Sequence, residues 1–252
     1  MTIDTPKVEQ IGGLRQLWKE AFGDSDAFLD SFFAIAFSPE RCRCVTEDGR
    51  PVAALYWFDC GYQGEKLAYL YAVATAKDRR GSGLCRRLME DAHNHLKSLG
   101  YAGAVLVPAS EALRQMYGRM GYLPGSMVEE FGCLAGEWET RVRVLSKDAY
   151  LHRRREMLPA NTVDQEGPLT DLLAEQCGLF EGEGFLLAGW VDDGVLYAEE
   201  FLGCRTAAPG IVKALGVSRG VFRGPGEKKD FAMYRPLKEN CPKIGYFGIA
   251  FG

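Results

Sequence analysis

Residues 69–89 read YLYAVATAKDRRGSGLCRRLM, and this stretch decides the fold. A run rich in Tyr, Leu and Val over 67–75 predicts a strand. A glycine-punctuated loop follows at 78–83, and apolar residues then recur at helical spacing over 84–99, which predicts an amphipathic helix. A strand, a glycine loop and a helix N-terminus in this order form an anion site. The first amides of a helix lack intrahelical partners and carry the positive end of its dipole.

The loop suits a phosphate ligand but matches neither common nucleotide-binding pattern. Gly81 and Gly83 permit close approach of an anion to the backbone, and Arg79 and Arg80 add positive charge. The pattern G-x-x-x-x-G-K-[ST] is absent, and G-x-G-x-x-G fails because position 86 is arginine. On these residues alone, a plain turn between a strand and a helix stays an alternative to a phosphate site.

Outward from this stretch, the N-terminal half predicts a mixed α/β domain over 1–137. Apolar residues on one face predict a helix at 13–22, and Ser25 is placed to cap a second helix. Further predicted elements are strands at 42–46 and 52–59 around an Asp-Gly turn, a strand at 104–107 and a helix at 110–121. The crossover from 67–75 to 104–107 through a helix favours two neighbouring parallel strands.

The C-terminal half predicts a linker or helical segment at 138–180 and a smaller α/β region at 181–252. The elements predicted in this second region are strands at 185–191, 195–201, 221–223, 231–234 and 246–251 and a helix at 207–215. Their order is similar to that of 42–107. A degenerate internal repeat is one interpretation, and a chance likeness of two Asp-Gly hairpins is the other.

The composition excludes several classes of protein. Of 252 residues, 47% are hydrophobic and 25% are charged, and the net charge is −4. This balance is typical of a folded globular protein and argues against a nucleic-acid binder that acts through a basic field. No apolar run reaches the roughly 18–20 residues that span a bilayer, and the start of the chain shows no leader pattern. We therefore expect a cytoplasmic protein with no membrane or nucleic-acid partner.

Eight cysteines and three histidines do not predict a metal site. The cysteines are scattered without a CxxC pair, so we expect reduced thiols that mostly fill the core. His93 and His95 are two residues apart on a predicted helix, cannot share a metal on one face, and are interpreted as surface residues. The basic run from His152 to Arg155 is interpreted as a solvated helix face or a linker.

Two motifs together resemble those of the GCN5-related N-acetyltransferases (GNAT). Residues 80–85, RGSGLC, are similar to the family's [QR]-x-x-G-x-[GA] pyrophosphate loop, with Cys85 where glycine or alanine is usual. Residues 109–122, ASEALRQMYGRMGY, are similar to the helix that carries the family's tyrosine, in the expected order and at the expected distance. The VAT, ASE and YGR-x-GY stretches are similar to the N-terminal domain of the enhanced intracellular survival (Eis) acetyltransferases. The resemblance covers about residues 10–135 and implies a GNAT fold there, with 181–252 open to interpretation as a degenerate GNAT-like repeat.

This resemblance implies an N-acetyltransferase that uses acetyl-CoA as its cosubstrate and no metal. The cleft would lie where the strand ending at Thr75 splays from the strand at 104–107. The resemblance assigns the cofactor to Val73, Ala74, Thr75, Arg80, Gly81, Ser82, Gly83, Leu84 and Cys85. A primary amine would attack the thioester directly, and a strand amide near Val73 would stabilise the oxyanion of the tetrahedral intermediate. Tyr117 would protonate the leaving thiolate as general acid. The C-terminal half has no such glycine loop, and no cofactor is expected there.

No motif marks the residues that receive the amine and its proton. The candidate general bases are Asp59, Glu129, Glu130 and Glu199. Acidic residues at 129, 130, 137, 139, 199 and 200 either favour a cationic acceptor or form solvated faces. Tyr69 and Tyr71 share a strand face and either line the acceptor pocket or belong to the core. In Eis proteins the terminal carboxylate reaches the active site. A further hypothesis is that the end of this chain, residues 246–252, does the same.

Three functions therefore compete. The leading one is acetyl transfer to a primary amine of a small molecule. The second is a non-catalytic acyl-CoA sensor, which the missing base keeps open. The third is transfer to a protein amine or an aminoacyl group. The oligomeric state stays open, with a homodimer as one possibility.

Overall fold

The computed structural model describes residues 1–251, which form two compact units. The first unit comprises residues 1–123 and 233–242, and the second comprises 124–232 and the described residues from 243 onward. Neither unit is a continuous stretch of chain. Residues 124–232 belong to the second unit, and residues 233–242 then return to the first.

Runs of strands and helices follow one another through residues 1–251. The strands are β1 Thr2–Asp4, β2 Cys42–Glu47, β3 Arg50–Tyr62, β4 Glu65–Thr75, β5 Gly103–Leu106, β6 Leu123–Pro124, β7 Met127–Leu134, β8 Arg143–Val144, β9 Gly178–Gly182, β10 Phe185–Asp192, β11 Val195–Gly203, β12 Arg219–Pro225, β13 Lys229–Asp230 and β14 Met233–Pro236. The α-helices are α1 Ile11–Phe22, α2 Asp26–Ser31, α3 Leu84–Ser98, α4 Glu111–Gly118, α5 Lys147–Met157, α6 Pro168–Gln176 and α7 Ala208–Ala214. No helix among residues 1–251 is long and apolar enough to cross a bilayer.

The first sheet has the strand order β1-β2-β3-β4-β5-β14-β6. β2, β3 and β4 pair antiparallel in sequence, and β4 pairs parallel with β5. The parallel pair confirms the prediction from the helical crossover between them. β14 then pairs antiparallel with the other side of β5, from Met233 opposite Leu106 to Pro236 opposite Gly103.

Helices cover both faces of this sheet. Side chains alternate along β3, so two adjacent residues of that strand pack against different helices. Tyr56 packs against Trp18 of α1 with ring centroids 5.1 Å apart, whereas Trp57 packs against His95 of α3 at 6.0 Å. Ser25 caps α2 as predicted, and its hydroxyl accepts a hydrogen bond from the amide of Phe28 at 3.1 Å.

The second sheet has the strand order β13-β7-β12-β11-β10-β9-β8. β11 and β12 pair parallel across α7, and the other neighbouring strands of this sheet pair antiparallel. Its core consists of buried aromatic and aliphatic side chains of the sheet and α7. These are Phe185, Leu187, Leu196, Ala198, Phe201, Ala208, Ile211, Val212 and Phe222.

The structure differs from the sequence expectations in the C-terminal half. The sequence predicts a first domain that ends at residue 137. In the structure the first continuous part of the first unit ends at Leu123, because β7 pairs with β12 of the second sheet. The strand expected at 246–251 is wrong, since only Tyr246 forms an isolated bridge, to Thr162. Side chains hold this segment instead: the Gln165 amide donates to the Ile249 carbonyl at 2.6 Å and accepts from its amide at 3.0 Å. Gly252, on which the terminal-carboxylate hypothesis depends, lies outside the described residues.

Candidate functional site

A gap opens in the first sheet where β4 and β5 stop pairing. Their register runs only from Leu67 opposite Gly103 to Tyr69 opposite Val105. β4 continues to Thr75 and stays paired on its other edge, where Ala74 lies opposite Ala54. Among residues 1–251, no strand pairs with residues 70–75 on the edge toward β5. A strand edge without a partner offers amides and carbonyls to an extended ligand.

A β-bulge explains why β4 turns away. The β3–β4 register shifts between Ala54 and Tyr56, and Ala72 takes a positive φ of 49°. Such a backbone angle is uncommon for a residue with a Cβ, and bulges bend a strand and increase its twist. The bend separates the last residues of β4 from the neighbouring strand. Val73, Ala74 and Thr75, assigned to the cofactor by resemblance, lie on the separated segment.

The glycine loop joins the end of this strand to α3. Gly81 and Gly83 have φ angles of 78° and 79°, and Gly83 is the N-cap residue of α3. No side chain caps the helix, so its first amides are left without a side-chain acceptor. Ser82 donates its hydroxyl proton to the Arg79 carbonyl at 2.5 Å, which closes the loop on itself. The loop therefore has the backbone angles and free amides that a pyrophosphate site requires.

The two arginines of the loop are not equivalent. Arg79 donates to Glu47 at 2.7 Å and to Asp78 at 3.0 Å, so carboxylates offset its charge. Arg80 donates to the Thr75 carbonyl at 3.1 Å and forms no ion pair among residues 1–251. An exposed guanidinium without a carboxylate partner remains available to an anion. Arg80 is thus the better candidate of the two for a phosphate contact.

Tyr117 lies on α4 and is buried, with 7% of its surface exposed. Burial, with a smaller contribution from nearby Cys85, raises the pKa of the Tyr117 hydroxyl well above its ordinary value. The hydroxyl therefore keeps its proton at neutral pH, as a general acid must. Cys85 lies in the first turn of α3, and Cys85 and Tyr117 belong to the same compact unit.

The sequence analysis missed a pair of buried polar residues beside Tyr117, His93 and Tyr122. His93 and Tyr122 are 4% and 2% exposed, and His93 Nε2 lies 2.8 Å from the Tyr122 hydroxyl. The interpretation of His93 as a surface residue is wrong, because it lies on the face of α3 that carries Leu88, Met89 and Ala92 into the core. The spacing of four residues between Met89 and His93 is the signal that could have placed it there.

The four candidate bases are all held in ion pairs. Burial alone would raise the pKa of Asp59, but hydrogen bonds from Arg41 and Tyr101 outweigh it and lower that pKa. Glu129 pairs with Arg205 and Lys228, and Glu130 pairs with Lys229.

Glu199 is buried beside Arg223, and burial raises its pKa. The solvated-face interpretation is wrong for both Glu199 and Glu200, which are 5% and 0% exposed. It is also wrong for Arg154, which is 2% exposed and donates to Glu200 at 2.6 Å and 2.9 Å.

The aromatic residues on the α1 side form one connected cluster. Tyr71 packs against Trp18 at 5.6 Å, Phe58 at 5.7 Å and Tyr69 at 5.9 Å, measured between ring centroids. Tyr69 is 2% exposed and belongs to the core, whereas Tyr71 is half-buried and adjoins the bulge at Ala72. Of the two tyrosines, Tyr71 is the one with surface left to meet a ligand.

Comparison with known families and structures gives a consistent result. A family model described as an acetyltransferase (GNAT) domain matches residues 2–125. A GCN5-related N-acetyltransferase from Kribbella flavida has a TM-score of 0.68 at 16% identity, over 94% of this chain and 72% of that one. Eis1 from Mycobacterium abscessus has a TM-score of 0.63 at 10% identity, over 94% and 74% of the two chains. A GCN5-related N-acetyltransferase from Sphaerobacter thermophilus has a TM-score of 0.59 at 12% identity, over 99% and 98%.

These structural matches cover 94–99% of this chain and include residues of both units, so both units share their fold with these structures, and two GNAT-like halves fit the chain. A comparison with curated proteins gave no match.

Proposed function

The chain belongs to the GNAT acetyltransferase family through residues 2–125, and from this premise we propose that it transfers an acetyl group from acetyl-CoA to a primary amine. The observation that carries the proposal is the open edge of β4 beside a glycine loop and an uncapped helix N-terminus. A second candidate, an acyl-CoA sensor without turnover, is favoured only by the ion pairs that occupy each of the four candidate bases.

The residues present fit acetyl-CoA in two places. The amides of residues 80–85 and the guanidinium of Arg80 would hold the pyrophosphate, because the positive-φ glycines turn the backbone toward an anion. The backbone of Val73, Ala74 and Thr75 would bind the pantetheine amides as an added strand does. Acetyl-CoA supplies the activated acyl group, and the chain supplies its alignment.

In the proposed reaction, a new C–N bond forms as the amine attacks the thioester carbonyl, and the C–S bond then breaks. An amide of the open β4 segment near Val73 would donate to the developing oxyanion of the tetrahedral intermediate. Tyr117, whose hydroxyl is protonated at neutral pH, would give its proton to the departing thiolate. The amine would lose its own proton to water or buffer. We propose that the acceptor is the primary amine of a small molecule.

Thermal unfolding with acetyl-CoA, CoA and ATP tests the cofactor site. A ligand that binds only the native state adds about 2.7 kcal/mol at 100 times its Kd. We expect acetyl-CoA and CoA to raise Tm and ATP not to raise it. If saturating acetyl-CoA leaves Tm unchanged, the loop is only a structural turn and the proposal fails.

The Tyr117→Phe variant separates the enzyme from the sensor. We expect kcat with a reactive amine to fall by roughly 10²-fold or more, while the Kd for acetyl-CoA changes little, because the variant removes only the proton donor. A wild-type protein that binds acetyl-CoA but acetylates none of a panel of small amines and peptides would favour the sensor. Turnover of peptides alone would move the acceptor to a protein amine.

A further inference from the structure

The buried hydrogen bond between His93 and Tyr122 joins two parts of the first unit that the proposed reaction needs. His93 lies on α3, whose N-terminus follows the glycine loop. Tyr122 comes five residues after Tyr117, in the turn that follows α4. The 2.8 Å contact between His93 Nε2 and the Tyr122 hydroxyl is therefore a direct link between the loop's helix and the turn that ends the tyrosine's helix.

Both partners of this bond are uncharged at neutral pH. Burial, together with the charge of Arg235, lowers the pKa of His93 to about 3. Burial raises the pKa of Tyr122 well above its ordinary value. A neutral imidazole and a neutral phenol form one specific hydrogen bond here, between His93 Nε2 and the Tyr122 hydroxyl. His93 Nδ1 has no hydrogen-bond partner, so the link to Tyr122 is the polar contact that holds the imidazole in place.

Tyr122 in turn contacts Tyr117. The two rings meet edge to face with centroids 5.7 Å apart, a favourable arrangement for aromatic pairs. The Tyr122 amide also donates to the Tyr117 carbonyl at 3.1 Å. Arg235 of β14 holds the same turn through a 2.5 Å hydrogen bond to the Met120 carbonyl. The Tyr117 ring thus rests on a neighbour whose far end is fixed to α3.

One face of α3 joins the start of the helix, beside the glycine loop, to the residue that binds Tyr122. Cys85, Met89 and His93 are spaced by four residues and share one helix face. Cys85 in the first turn influences the pKa of Tyr117, and His93 two turns later binds Tyr122. A shift of α4 relative to α3 would move the Tyr117 hydroxyl relative to the loop assigned to the pyrophosphate.

We propose that His93 and Tyr122 are positioning residues that hold the Tyr117 hydroxyl in register with the cofactor loop, an inference that rests on the proposed function. The hydroxyl must meet the leaving sulfur within hydrogen-bond distance, and a displacement of about 1 Å at a reacting group can cost roughly 10² in rate. Tyr122 and His93 do not touch the reacting atoms, so they act only through Tyr117.

The Tyr122→Phe variant removes the hydroxyl and keeps the ring. We expect kcat to fall at least about 10-fold, with the KM for acetyl-CoA changed less than about 2-fold. Tyr150→Phe is the matched control, because Tyr150 is also a buried tyrosine, whose hydroxyl donates to Glu200 in the second unit at 3.0 Å. It should lower Tm and leave kcat unchanged. Wild-type kcat in Tyr122→Phe would overturn the inference.

Double variants distinguish positioning from stability. Since Tyr122 acts through Tyr117, Tyr117→Phe with Tyr122→Phe should be no slower than Tyr117→Phe alone. His93→Leu with Tyr122→Phe removes both polar partners and should recover Tm relative to Tyr122→Phe while kcat stays low. Additive losses in the first pair, or recovery of kcat together with Tm in the second, contradict positioning. A wild-type protein without turnover would instead mean that the proposed function itself fails.

Discussion

Gly83 adopts a left-handed backbone, with φ of 79°, at the residue before α3. An added Cβ would meet no atom within 4 Å, so the effect of substitution is backbone strain alone. We expect Gly83→Ala to lower the free energy of unfolding by about 1 kcal/mol and to weaken acetyl-CoA binding, because strain relief turns the loop amides. Urea unfolding and titration with acetyl-CoA measure the two effects.

Gly12 is the matched control for Gly83. It lies in the first turn of α1, has no positive φ, and likewise has no atom within 4 Å of an added Cβ. Gly12→Ala should stabilise the protein by up to about 1 kcal/mol, since alanine favours the helix. Equal effects of the two substitutions would mean that the left-handed turn at Gly83 is not required.

His93 should make the protein sensitive to acid. Because its pKa is lowered to about 3 in the folded state, its contribution to stability is complete above the unfolded pKa of about 6.5 and is lost as pH falls toward 3. The loss is on the order of 4 kcal/mol by pH 3. His93→Gln, which cannot ionise but can still bind Tyr122, should flatten the dependence of Tm on pH in this range.

His152 provides the control, because its side chain is 77% exposed on α5. His152→Gln should leave the pH dependence of Tm as in the wild type. If His93→Gln and the wild type lose stability equally between pH 6.5 and 3, protonation of His93 is not the acid-sensitive step.

At the scale of elements, one buried ion pair joins α5 to β11. Arg154 and Glu200 are 2% and 0% exposed, and Tyr150, one turn before Arg154, also donates to Glu200. Removing one charge leaves the other buried and unpaired, which costs about 3–5 kcal/mol. We expect Glu200→Gln to lower the free energy of unfolding by about 3 kcal/mol in urea titrations.

A double variant and an exposed pair test this assignment. Arg154→Met with Glu200→Leu removes both charges and should recover most of the stability lost in Glu200→Gln. Lys147 on α5 pairs with Asp171 at 2.6 Å in an exposed position, and Lys147→Met should change stability by less than about 1 kcal/mol. If Glu200→Gln and Lys147→Met lower the free energy of unfolding equally, burial of the Arg154–Glu200 pair does not determine the size of the loss.

Local patterns could predict most elements around the site but not which polar residues point inward. The run of Tyr, Leu and Val at 67–75, the glycines of the loop and the spacing of apolar residues in α3 are local signals, and the strand, loop and helix that they predict are present. Glu199 and Glu200 are adjacent and would face opposite sides of a regular strand. A register shift between Ala188 and Gly189 of the facing strand makes Glu199 the extra residue, and both carboxylates are buried. Neither this bulge nor the one at Ala72 has a sequence signature, because each depends on the partner strand.

At the scale of the whole molecule, the division into units follows pairing that is remote in sequence. β5 is an interior strand of the first sheet, between β4 and β14, and β14 begins at Met233, more than a hundred residues later. The order of predicted elements along the chain places a boundary at 137, and local patterns cannot show that a later strand returns to the first sheet. The resemblance could be found in residues 10–135 because its motifs are local.

This connectivity predicts that a fragment ending at residue 137 will not fold well. It would expose the edge of β5 that Met233–Pro236 covers, and it would leave Met127–Leu134 without β12. We expect residues 1–137 to aggregate or to unfold several degrees below the full chain. The matched fragment joins residues 1–123 through a flexible linker to 233–242, restoring the β5–β14 pair, and it should remain soluble and bind acetyl-CoA. If residues 1–137 instead equal it in Tm and in acetyl-CoA affinity, β14 is dispensable, and the site depends only on the strand–loop–helix stretch at 67–98.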